Sequence, residues 1–97
     1  MSQASVERRL RQATARLRDA REELAVLDQQ LASLAEDADD LETRSLVGES
    51  PLADREHRDA KRSVDAMTRS RAATAAEIAK LQRTIDELLE RFVPDPR

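Results

Sequence analysis

The sequence predicts an all-α protein, a two-helix antiparallel coiled-coil hairpin, and three observations lead there. First, an apolar repeat of 3.5 residues per turn runs unbroken through two long stretches, the signature of helices that wind around one another. Second, one Gly-Pro interruption, Gly48 to Pro51, separates them. Third, aromatics make up 1% of the 97 residues and charged residues 38%. Compact cores lean on aromatic side chains, so a single Phe argues against an ordinary globular interior.

Helix 1 is predicted over about 3–46. Its ladder reads Val6, Leu10, Ala13, Leu17, Ala20, Leu24, Leu27, Leu31, Leu34, Ala38, Leu41, in steps of three and four. Ser2 or Ser5 can accept from the free N–H groups at its start. Gly48 is the natural stop, because glycine enters the left-handed conformation cheaply. The turn is predicted at 47–50. Helix 2, about 51–93, opens on Ser50 as N-cap with Pro51 at the first helical position. Its ladder reads Ala53, His57, Ala60, Val64, Met67, Arg71, Thr74, Ile78, Leu81, Ile85, Leu88, Phe92. Pro94 ends it, and the tail 94–97 is expected to fray.

So short a link makes neighbouring helices antiparallel. Folding about Glu49 pairs Val6 with Phe92, Leu10 with Leu88, Ala20 with Ile78, Leu27 with Arg71, Leu34 with Val64 and Leu41 with His57. Every ladder residue from Val6 to Leu41 then has a partner. Small residues face large ones at Ala13 and Ala20, as interdigitating layers require. Helix 1 begins basic (Arg8, Arg9, Arg11, Arg16, Arg18, Arg21) and ends acidic (Glu36, Asp37, Asp39, Asp40, Glu42). Helix 2 sets Asp86, Glu87 and Glu90 beside the basic end and Arg55, Arg58, Lys61 and Arg62 beside the acidic end.

The flanks of the seam depart from a finished two-stranded coil, whose e and g positions usually carry Glu and Lys. Here many are small or neutral, among them Thr14, Gln30, Ala35, Ser63, Ser70, Ala75 and Thr84, and Leu89 is apolar. Two facing pairs would be like-charged, Glu23 with Glu77 and Arg9 with Arg91. Helix 2 also carries an alanine patch that includes Ala72, Ala75 and Ala79. A stripe this wide suits more than two helices. The expectation is a homodimer forming a four-helix bundle, or a hairpin docked on a partner protein. Candidate contact residues are Leu46, Val47 and Leu52 at the turn, and Arg71, Ala72, Ala75, Ala79 and Leu89 along helix 2. The three turn residues either seal the core or form an exposed docking tip. Arg71 either lies along Leu27 with its head in solvent or meets a carboxylate of another chain.

Composition narrows the function classes. There is no Cys, one His and no Gly-rich phosphate loop, and no Ser or Thr has an activating base in reach of the pattern. The chain is therefore expected not to be an enzyme and to need no cofactor or metal. Asp37, Asp39, Asp40 and Glu42 spread over different helix faces, and no calcium-loop pattern accompanies them. A net charge of −3 and the lack of stacking aromatics make nucleic acid an unlikely partner. No apolar run approaches the ~20 residues that span a bilayer, and no signal-peptide core is seen at the N-terminus, so a cytoplasmic location is expected.

Gly48-Glu49-Ser50 followed by Glu56-His57-Arg58-Asp59-Ala60-Lys61 resembles the Gre-type transcript factors. The resemblance covers about a dozen residues. It implies a coiled-coil hairpin whose tip enters the secondary channel of RNA polymerase, and so a regulator that binds the transcription machinery or a sigma-like partner. The sequence departs from that family in the spacing from Ser50 to Glu56, in having only Glu49 as a turn acid, and in lacking a globular C-terminal domain. A third reading is a sensor of a small anionic ligand at a bundle interface, with Arg71 as its cation.

Overall fold

The computed structural model describes residues 2–48 and 50–92. Two helices account for nearly all of them: α1, Gln3–Gly48, and α2, Pro51–Arg91. They lie against each other as a rod of 74 × 19 × 14 Å, with a radius of gyration of 21.4 Å. A compact chain of this length would have a radius of gyration of about 13 Å. The molecule is thus an arm rather than a globule.

Each end of each helix has an identifiable cause. The Ser2 hydroxyl accepts from the Ser5 N–H at 3.1 Å and the Ser2 carbonyl from the Val6 N–H at 3.0 Å, so Ser2 caps α1. Ser50 stands extended (φ −101°, ψ 128°) at the start of α2. Its hydroxyl accepts from the Ala53 N–H at 3.4 Å and its carbonyl from the Asp54 N–H at 3.0 Å. Pro51 follows at the first helical position, where its missing N–H costs nothing. At the far end Phe92 turns extended while its N–H still reaches the Leu89 carbonyl at 3.2 Å.

Gly48 corrects the expectation made for it. It is the last residue of α1, not a left-handed stop beyond it, and the helix runs two residues past 46. An added Cβ there would meet nothing within 4 Å. Ser50, just before α2, has an extended backbone. Glu49, on which the predicted fold pivots, lies outside the described residues, as do Val93 and the tail 94–97.

The seam follows the two ladders. Every ladder position, Val6 to Leu41 and Ala53 to Phe92, is buried or half-buried. The quality of that burial changes along the rod. Val6 (1% exposed), Ala13, Leu17, Ala20, Thr74 and Leu88 are the fully buried side chains, and all lie in the half that holds the chain ends. From Leu24 to the turn, no described residue is fully buried. Sequence accounts for the difference. Ala13, Ala20 and Thr74 are small and face Ile85, Ile78 and Leu24 in the predicted register. Leu24, Leu27, Leu31 and Leu34 are four successive bulky rungs facing Thr74, Arg71, Met67 and Val64 in the predicted register.

Polar contacts across the seam join residues at neighbouring heights. Gln3 Nε2 donates to the Arg91 carbonyl at 3.2 Å. Arg16 pairs with Glu77, Asp28 with Arg71, and the Ser45 hydroxyl donates to Asp54. The Arg16 pair removes one predicted repulsion: Glu77 reaches Arg16, one heptad from Glu23, and so meets an opposite charge. Exposed pairs of this kind contribute at most about 1 kcal/mol. They fix register more than they hold the helices together.

Candidate interaction surfaces

The seam gives the hairpin two distinct sides. On one, Ala35, Asp39 and Glu42 of α1 share a groove with Lys61 and Asp65 of α2. These occupy b and e positions, so the b and e residues of both helices look out together. On the other side, Arg9, Gln12 and Arg16 share a groove of about 360 Å³ with Thr84, Glu87 and Arg91. These are c and g positions, over a floor of Ala13 and Leu88.

The alanine candidates fall on the b/e side. Ala75 and Ala79 are half-buried and Ala72 is exposed. Leu89 stands 53% exposed on the same side. Arg71 also emerges there, half-buried, with its guanidinium reaching the surface. Its guanidinium pairs with Asp28 of the facing helix, within the same chain. The Asp28 hydrogen bond, then its charge, raise the Arg71 pKa above its ordinary value. An arginine stays protonated across any working pH, so the pair holds no pH switch on the arginine side. An anion arriving at Arg71 would have to compete with a carboxylate already in place.

At the turn, Leu46 is 77% exposed, Val47 81% and Leu52 61%. The core-sealing alternative is therefore overturned. The helix geometry explains it: in the heptad frame Leu46 is at b, and Val47 and Leu52 are at c, all outside the a/d seam. What closes the seam at this end is polar, the Ser45 to Asp54 hydrogen bond. Val26, 51% exposed, is a further large apolar side chain at a c position. Sequence reasoning did not single it out, although its heptad position was a sufficient signal.

Comparison with protein-family models, with curated proteins and with solved structures finds no match.

Among the described residues no three His, Asp or Glu side chains gather to hold a metal ion. His57 is half-buried and lines the groove beside Lys61 and Asp65. Arg9 and Arg91, the second predicted like-charged pair, do sit in one groove. Among the described residues no helix is long and apolar enough to cross a membrane.

Proposed function

We propose that the chain is a non-enzymatic assembly module of the cytoplasm that acts by self-association, two hairpins forming a four-helix bundle. The observation that carries this reading is unsatisfied surface. The hairpin exposes 7373 Å², where a compact protein of its 10.9 kDa would expose about 5600 Å². A stable interface needs about 800 Å² from each partner, so the excess is ample for one. The large apolar side chains exposed on that surface are Val26, Leu46, Val47, Leu52 and Leu89. Sedimentation equilibrium tests it: a concentration-dependent shift from 10.9 kDa toward twice that mass supports the module, and a monomer at high micromolar concentration refutes it.

The exposed tip favours a second reading, a regulator that docks Leu46, Val47 and Leu52 on a partner such as the transcription machinery. Cosedimentation with purified RNA polymerase, abolished by Val47→Asp, is its expected outcome. The anionic-ligand reading finds its cation, Arg71, already paired with Asp28.

A further inference from the structure

We propose that the second copy covers the b/e side and lies antiparallel to the first, turned about a two-fold axis that crosses the rod at Ala25 and Ala72. This rests on the self-association reading above and specifies its surface and direction. The observation that carries it is the order of charge on that side. On α1 the exposed residues Arg11, Arg18 and Arg21 stand toward the chain ends, and Asp39 and Glu42 toward the turn. On α2 Arg58 and Lys61 stand toward the turn and Asp86 toward the chain ends. Among the described residues, none of Arg11, Asp39, Glu42, Arg58, Lys61 and Asp86 forms an ion pair within its own chain. Between these charges the side is small, with Ala25, Ala32 and Ala35 on α1 and Ala72, Ala75 and Ala79 on α2. The alanines alone would name no partner; the charges at either end of them do.

α1 spans Gln3–Gly48 and α2 Pro51–Arg91, so Ala25 and Ala72 mark the middle of each helix. Rotation there lays α1 on α1 of the second copy and α2 on its α2, each pair antiparallel. Arg11 comes to Asp39 and Glu42 of the second copy, and Asp86 to Arg58 and Lys61. Symmetry makes each meeting twice, as in any isologous pair. Ala25 and Ala72 meet their own counterparts, so small residues occupy the height at which the axis crosses. Arg18 comes to Ala32, and Asp65 to Ala79. Arg21 comes to Asp28, which Arg71 of the same chain already engages, so that meeting adds nothing. One meeting, Glu7 with Glu42, is like-charged. A parallel copy on this side would also join Arg11 to Asp86 and Asp39 to Arg58. Its axis, however, runs along the rod, and the e residues lie along the midline of the side, next to the seam. Each of Arg21, Glu42, Asp54 and Lys61 would then face its own like. On the c/g side Arg16 is already paired with Glu77, and the same antiparallel rotation sets Arg9 on Arg44.

The chain has no Cys, which makes single-site cross-linking direct. In the dimer, a short bismaleimide is expected to join Ala72→Cys to its own counterpart. It should join neither Ala73→Cys, the next residue but on the c/g side, nor Lys61→Cys, which lies about 33 Å from its counterpart at ~1.5 Å of rise per residue. Cross-linking through Ala73→Cys instead assigns the other side, and cross-linking through Lys61→Cys assigns the parallel copy. Either result, or a dimer that none of the three joins, overturns the proposal while leaving self-association standing. A chain that stays monomeric in sedimentation overturns both. Arg11→Glu, at a position exposed in the single hairpin, is expected to weaken dimerisation about tenfold at low salt with helicity retained, since the change is felt twice. Arg9→Glu, on the opposite side, is expected to leave it unchanged. The reverse pattern overturns the proposal.

Discussion

The two halves of this rod are built from the same heptad grammar and reach different ends. The chain-end half holds every fully buried side chain among the described residues: Val6, Ala13, Leu17, Ala20, Thr74 and Leu88. The turn half, with more leucine in its ladder, buries none of its side chains fully. The turn half's ladder also carries two polar rungs, His57 and Arg71, where the chain-end half has only Thr74. The polar rungs His57 and Arg71 face Leu41 and Leu27 in the predicted register, so those leucines lie against side chains whose polar ends reach for solvent. A third and fourth helix remedy that, because they cover the flanks that two helices leave open. On the self-association reading, the turn half is the half that a partner would complete.

Substitutions can break or sharpen this contrast. The largest effect is expected from truncating matched leucines. Leu17→Ala, in the closed half, should cost about 3 kcal/mol in chemical denaturation, within the range for buried leucine. Leu34→Ala, half-exposed, should cost under about half of that in dilute monomer. Equal losses would remove the distinction between the halves. Next is the reverse substitution. Ala20→Leu should destabilise by about 1–3 kcal/mol through overpacking, whereas Ala38→Leu, in the looser half, should be tolerated; thermal melts of the two variants decide it.

Smaller effects test the turn. Ser50→Ala removes the acceptor for the Ala53 N–H and should cost about 1 kcal/mol, with the loss confined to the start of α2 in helicity measurements. Gly48→Ala should be neutral or stabilising by up to about 1 kcal/mol, since the residue is helical with free space at its Cβ. A clear destabilisation would restore the left-handed stop that the sequence suggested.

That last case shows what the sequence made legible and what it did not. The ladders announced the hairpin because an apolar period of 3.5 is a property of the chain itself, and Ser50-Pro51 announced the start of α2 because a cap and its proline are neighbours in sequence. Gly48 was misread because a glycine near a helix end carries no mark of whether its φ has changed sign. The partner of Arg71 was not legible, because Asp28 is brought near only by the fold. Glu77 had two candidates one heptad apart, and side-chain reach decided for Arg16. Leu46, Val47 and Leu52 left two outcomes open, and only the three-dimensional turn separated them. Val26 was legible, since its c position alone places it outside the a/d seam.

Amide hydrogen exchange as a function of protein concentration tests the contrast most directly. If a second copy completes the turn half, protection over about 27–41 and 57–71 should rise steeply from dilute to concentrated protein, while the amides around Val6–Ala20 and Thr74–Leu88, already enclosed, change little. Protection in the turn half that is independent of concentration, or already equal to that of the chain-end half in dilute monomer, would contradict a hairpin left unfinished for a partner to complete.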